Sequence, residues 1–249
     1  MKQKQIINTF LMLLLPLFSA MAQERDTLAA FIEKNPNAVD INIIYEGTKL
    51  NLSADESHLL VNLSVAHPAL QMRFLMQKVS LFIDPAGKKK KKYEVILPSA
   101  LDVKDEIEAA IPRQQESREE NARPDIRPLI SALNRRGAEY RHDKSTTHLG
   151  YQLFHIEHDR ENELLNFYVL IPKTQLMQDK KLSEKWNLGI FSVNDFTNMP
   201  PPGQEGGNDM TPPPMEGEDG QGIQELMQRD IREWVKFSID EVNNVNLKE

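Results

Sequence analysis

Residues 79–97 read VSLFIDPAGKKKKKYEVIL, and this stretch decides the fold. Val79, Leu81 and Ile83 recur at the period of two that puts alternate side chains on one face of a strand. They run into Asp84-Pro85-Ala86-Gly87, where Pro at the second position and Gly at the fourth suit a type I turn. After the lysine run the chain returns through Tyr93, Val95 and Leu97 with the same period. The unit is a β-hairpin with one apolar face, so the protein must supply further strands to cover it.

The same alternation recurs on both sides. Val39, Ile41, Ile43 and Tyr45 carry it, Leu50 and Leu52 continue it, and residues 54–57 (ADES) turn the chain. Leu59, Val61, Leu63 and Val65 then share one face of a strand over residues 58–66, and a short helical stretch spans residues 71–78. Downstream, residues 149–158 and 163–171 flank a turn of hairpin length at Asp159-Arg160-Glu161-Asn162. The second arm is nearly continuous in apolar residues, as expected of a strand covered on both faces. Residues 186–193 form another strand, and Trp234, Lys236 and Ser238 alternate with Val235, Phe237 and Ile239 in a last one. The expected fold is mainly β, a single antiparallel β-sandwich over residues 23–249.

Two interruptions are expected. Ser99 suits the N-cap of a helix running to Ile111, residues 114–127 are almost wholly polar, and residues 129–133 suit a further short helix. Residues 99–145 therefore read as a helical and polar insertion. Residues 199–222 hold six of the 15 Pro, six of the 11 Gly, five acids and no base. That composition has too little to bury and predicts disorder before the final strand.

Composition narrows function by exclusion. Among 249 residues there is no Cys, which removes disulfides, thiolate catalysis, cysteine-ligated metal sites and lipoprotein anchoring. A formal charge of −7 argues against a general nucleic-acid binder. Lys2 and Lys4, the apolar run at residues 10–18 and Ala20-Met21-Ala22 read as a secretory leader with its cleavage site. Residues 1–22 contain those two lysines and no acid, so cleavage leaves 227 residues with a charge of −9. The apolar run is shorter than the roughly 20 residues that span a bilayer. The mature chain is expected in the periplasm or outside the cell, with no transmembrane segment.

Residues 43–98, with their strand, turn, strand, short helical stretch and I-D-P-A-G-K-K-K-K-K hairpin, resemble a group of secreted bacterial proteins. Those proteins carry a β-sandwich similar to the DOMON and family 9 carbohydrate-binding domains. The Gly/Pro-rich segment ahead of an aromatic-led last strand fits the same resemblance. It implies a sandwich that holds a ligand, carbohydrate among the classes. Family 9 modules clamp sugar between exposed aromatic rings, whereas Trp186 and Trp234 each lie inside a strand pattern here, so no clamp transfers to named positions.

Several constellations carry candidate chemistry. Trp186, Trp234 and Tyr151 are the candidate stacking platform for a ligand, although large aromatics at strand positions also serve as core. Lys88, Lys89, Lys90, Lys91 and Lys92 form a candidate electrostatic patch for anionic groups. The same run also reads as a solvated loop that discourages edge pairing. On a strand, His155 and Glu157 share a face and His158 points away. Two ligands fall short of the four of a structural zinc site, and nothing places His142 or His148 beside them, so no metal or other cofactor is expected. No G-x-S-x-G elbow, P-loop, H-E-x-x-H or dinucleotide fingerprint occurs. The leading expectation is a non-catalytic exported binding module for carbohydrate or another envelope ligand. The alternatives are a structural or assembly partner at the envelope and, third, a glycan-acting enzyme.

Overall fold

The computed structural model describes residues 27–34, 39–42, 47–105, 126–177, 183–192 and 230–244. The leader and the Pro/Gly-rich segment lie outside the described residues. Eleven described strands build two antiparallel sheets, as the alternation predicts. The first has the order β1-β2-β3-β9-β8, formed by Val39–Asn42, Thr48–Ala54, His58–Val65, Leu164–Pro172 and Phe154–Asp159. The second has the order β11-β10-β4-β5-β6-β7, formed by Ile231–Ser238, Lys185–Ser192, Val79–Asp84, Tyr93–Leu97, Ala138–His142 and Ser145–Leu149.

The sheets face each other across one apolar core. Leu50, Leu52, Leu59, Val61, Leu63, Phe167, Val169 and Ile171 come from the first sheet, and Leu81, Ile83, Val95, Trp186, Leu188 and Ile190 from the second. Each fully buried Leu or Ile contributes about 1.5–3 kcal/mol relative to exposure. The phase of each strand is therefore held by its inward set, because a slip of one residue would turn that set to water.

The helices are short and local. Helix α1 (Thr27–Lys34) lies on the outer side of the first sheet, where Leu28 and Phe31 pack on Leu60 and Leu170. This explains the unbroken apolar run in β9, whose outward Leu170 has its own cover. Helix α2 (Pro68–Met76) carries the chain from β3 to β4. His67 caps it by accepting from the Ala69 N–H at 3.2 Å, and the fully buried Arg73 donates through Nε to Gln77 Oε1 and through a terminal nitrogen to the Ser192 carbonyl.

The expected insertion at 99–145 is corrected in its second half. Ser99 precedes a 3₁₀ turn at Ala100–Val103 that passes into helix at residues 104–105, the rest of the expected helix to Ile111 lies outside the described residues, and helix α3 spans Arg127–Arg136. Residues 138–149 are not insertion at all. They form β6 and β7, which complete one edge of the second sheet. The polar face of AEYRH and STTHL hid them, since neither strand shows the apolar density of its neighbours. Helix α3 also protects the edge of the first sheet. The Asn134 side chain donates to the Ile156 carbonyl and accepts from its N–H, pairing with β8 as a neighbouring strand would. Two further short helices, α4 (Lys173–Leu176) and α5 (Ile239–Asn244), follow β9 and β11.

Candidate functional site

Register decides where each candidate residue points. Along β10, Trp186, Leu188 and Ile190 face the core, so Asn187, Gly189 and Phe191 face outward. Gly189 pairs with Trp234 on β11 and with Phe82 on β4, while Phe191 pairs with Arg232 and Ser80. Three aromatic rings therefore meet on the outer face of the second sheet. Phe82 and Phe191 are edge-to-face at 5.1 Å, Phe191 and Trp234 edge-to-face at 5.6 Å, and Phe82 and Trp234 lie 6.5 Å apart at 33°. Such contacts add about 0.5–1.5 kcal/mol each beyond area.

Gly189 makes this packing possible. A Cβ there would come within 2.8 Å of the Phe191 ring and 3.0 Å of the Trp234 ring, so the rings settle onto bare backbone. The Lys91 ammonium caps the cluster, 4.0 Å from the Phe191 centroid and 5.1 Å from that of Phe82. The cation sits over the negative ring faces while its stem covers apolar carbon. Phe82 and Phe191 are thereby buried to 8% exposure, and Trp234, half-buried, and Lys91, exposed, form the solvent side of the pad.

The lysine run is placed by Asp84. Its carboxylate, 3% exposed, accepts from the backbone N–H groups of Ala86, Lys88 and Lys90, which winds the loop around one anion. Gly87 takes φ +69°, and a Cβ there would strike the Lys185 carbonyl at 2.6 Å. Lys89 also takes a positive φ, 56°. The loop is ordered by its acid, and of its five lysines Lys91 folds back onto the pad while Lys92 lies 5.6 Å from the Tyr93 ring centroid. Lys88, Lys89 and Lys90 remain exposed. A shallow open depression of about 290 Å³ is lined by Gly87, Ser183, Glu184, Lys185 and Lys236.

The proposed platform of Trp186, Trp234 and Tyr151 does not assemble. Trp186 is 1% exposed and its indole N–H donates to the Ser183 carbonyl at 2.9 Å, so it is a core residue. Tyr151 is 56% exposed, but it follows β7, at the edge of the second sheet opposite to β11. At about 4.8 Å per strand, those edges lie roughly 24 Å apart. Only Trp234 and Lys91 of the sequence candidates come together, and Phe82, Phe191 and Gly189 join them unannounced. The available signal was an apolar residue in the outward phase of both LFI at 81–83 and GIF at 189–191. His155 and Glu157 do share the outer face of the first sheet, while His142 and His148 belong to the second.

The fold and this face define an antiparallel β-sandwich bearing an aromatic–cation pad on one outer surface. Beyond that class, no family model matches the chain, and neither a curated protein nor a solved structure matches it. Among the described residues, no helix is long and apolar enough to cross a membrane.

Proposed function

We propose that the protein is a non-catalytic, exported binding module that holds a ligand of the cell envelope, carbohydrate foremost, on the outer face of its second sheet. The observation that carries this reading is the pad itself. Three aromatic rings over a glycine, capped by a lysine, stand on a face whose remaining positions are mostly polar or charged: Ser80, Glu94, Arg141, Glu139 and Arg232. A half-buried indole offers an apolar surface for a sugar ring, and Lys91 with Lys236 supplies charge for an acidic substituent. The leader-like segment at 1–22 supports export, and the resemblance of residues 43–98 to ligand-holding sandwiches supports a binding role.

A glycan array probed with the mature protein and with Trp234→Ala tests the reading. The expected result is a set of glycans bound by the first and lost by the second, with Lys91→Ala weakening acidic glycans most. A blank array, or binding indifferent to Trp234, would remove the proposal. In that case the alternative of an assembly partner gains from β7, whose Ser145, Thr146, Thr147 and His148 form an exposed sheet edge open to strand addition.

A further inference from the structure

The outer face of the first sheet is chemically unlike that of the second. In β2 and β3 the inward set is Leu50, Leu52, Val61 and Leu63, all fully buried, so Asn51 and Asn62 point outward. They are paired directly across the two strands, Asn62 is paired with Tyr168 on β9, and Tyr168 with His155 on β8. A polar row thus crosses four strands, about 15 Å at ordinary strand spacing. The next row holds Lys49, Ser64, Asn166 and Glu157. On the other side the face is walled by α1, seated on Leu60 and Leu170.

One pair of this floor bonds internally: the Ser64 hydroxyl donates to Asn166 Oδ1 at 2.6 Å. Three buried atoms of the same face, Asn51 Oδ1, Asn62 Oδ1 and Ser53 Oγ, have no hydrogen-bond partner among the described residues. Buried side-chain carbonyls are ordinarily paired, and two on adjacent strands call for two donors a few ångströms apart.

We infer that this row, built by Asn51, Asn62, Tyr168 and His155 beside α1, is a second recognition site that takes a neutral polyhydroxylated ligand of the sugar class. Neighbouring hydroxyls supply two donors at short spacing. Asp40, in register with Asn51 on β1, and Glu157 with Asp159 on β8 oppose an anion, and Lys49 in the next row opposes a cationic donor, which leaves uncharged donors. The site is independent of the aromatic pad, since the two lie on opposite outer faces of the sandwich.

The test is a titration of the mature protein with soluble neutral hexasaccharides (malto-, cello-, xylo- and chito-series), and separately with spermidine, followed through the Asn side-chain amide resonances. At least one hexasaccharide should shift Asn51 and Asn62 saturably. The Asn51→Leu/Asn62→Leu double variant, nearly isosteric, should lose about 10-fold or more in affinity while its Tm stays within about 2 °C or rises. Trp234→Ala should leave these shifts intact. The inference is overturned if no hexasaccharide moves these resonances, if spermidine moves them instead, or if Trp234→Ala abolishes the effect. It is also overturned if the double variant loses many degrees of Tm, which would make the amides structural. Because failure at the pad and failure at this row are read by different variants, the two proposals stand or fall separately.

Discussion

Trp186 and Trp234 sit on neighbouring strands of one sheet and behave as opposites. Trp186 is paired with Phe237, points into the core and spends its indole N–H on the Ser183 carbonyl. Trp234 is paired with Gly189, points outward and leaves part of its ring to solvent beside Lys91. Composition and β-propensity are the same for both. What separates them is the phase of the strand relative to the other sheet. A residue one step out of phase exchanges a structural role for one at the surface.

The largest effect should fall on the inner tryptophan. Trp186→Ala removes a fully buried ring and its hydrogen bond, and should cost about 3–5 kcal/mol in denaturant unfolding. A loss below about 1 kcal/mol would break the contrast at its root. Next, Gly189→Val forces a branched side chain beneath Phe191 and Trp234, and should destabilise by about 1–3 kcal/mol through overpacking. Its Trp fluorescence should change in the native state because Trp234 must lift. An unchanged spectrum would mean that the pad does not rest on Gly189. Trp234→Ala should cost less than Trp186→Ala, about 1–3 kcal/mol by unfolding, because its half-buried ring gives up two contacts, with Phe82 and Phe191, but leaves no hole in the core. The same variant should show the largest loss in glycan binding, and a variant that unfolds but still binds would invert the comparison.

A smaller effect, away from both tryptophans, should come from acid. Burial works to raise the Asp102 carboxyl, but hydrogen bonds from the Ser99 N–H and hydroxyl and the ion pair with Lys78 at 3.2 Å outweigh it, and the carboxyl titrates below its ordinary value. A lowered folded-state value means stability present above about pH 4, where the unfolded carboxyl is ionised, and lost as pH falls through the folded value. With the pair partly exposed, the contribution should stay below about 1 kcal/mol. Asp102→Asn should flatten that part of the pH–stability curve, and an equal slope in wild type and variant would refute the assignment.

Much of the fold was legible because it rests on local rules. The inward sets of β3, β4, β5 and β9 repeat every two residues, and D-P-A-G marks its turn through Pro85 and the positive φ of Gly87. The strands β6 and β7 were not legible, because AEYRH and STTHL present few apolar residues and become strands by pairing, β6 with β5 and β7 with β6, rather than by their own pattern. The lysine run was visible as charge, yet its conformation depends on one carboxylate, Asp84, gathering three backbone donors.

By itself, then, the sequence determined the alternation that builds two apolar sheet faces, the turns that reverse the strands, and the absence of any cysteine chemistry. Only the tertiary structure decided which aromatics meet. Strand order places β10 between β4 and β11, so that Phe82, Phe191 and Trp234, more than 150 residues apart at the extremes, converge over one glycine. The same order sends Tyr151 to the far edge and Trp186 to the interior. Periodicity is a property of a few consecutive residues, whereas adjacency across a sheet is set by the packing of the whole chain, and the candidate site depends on the second.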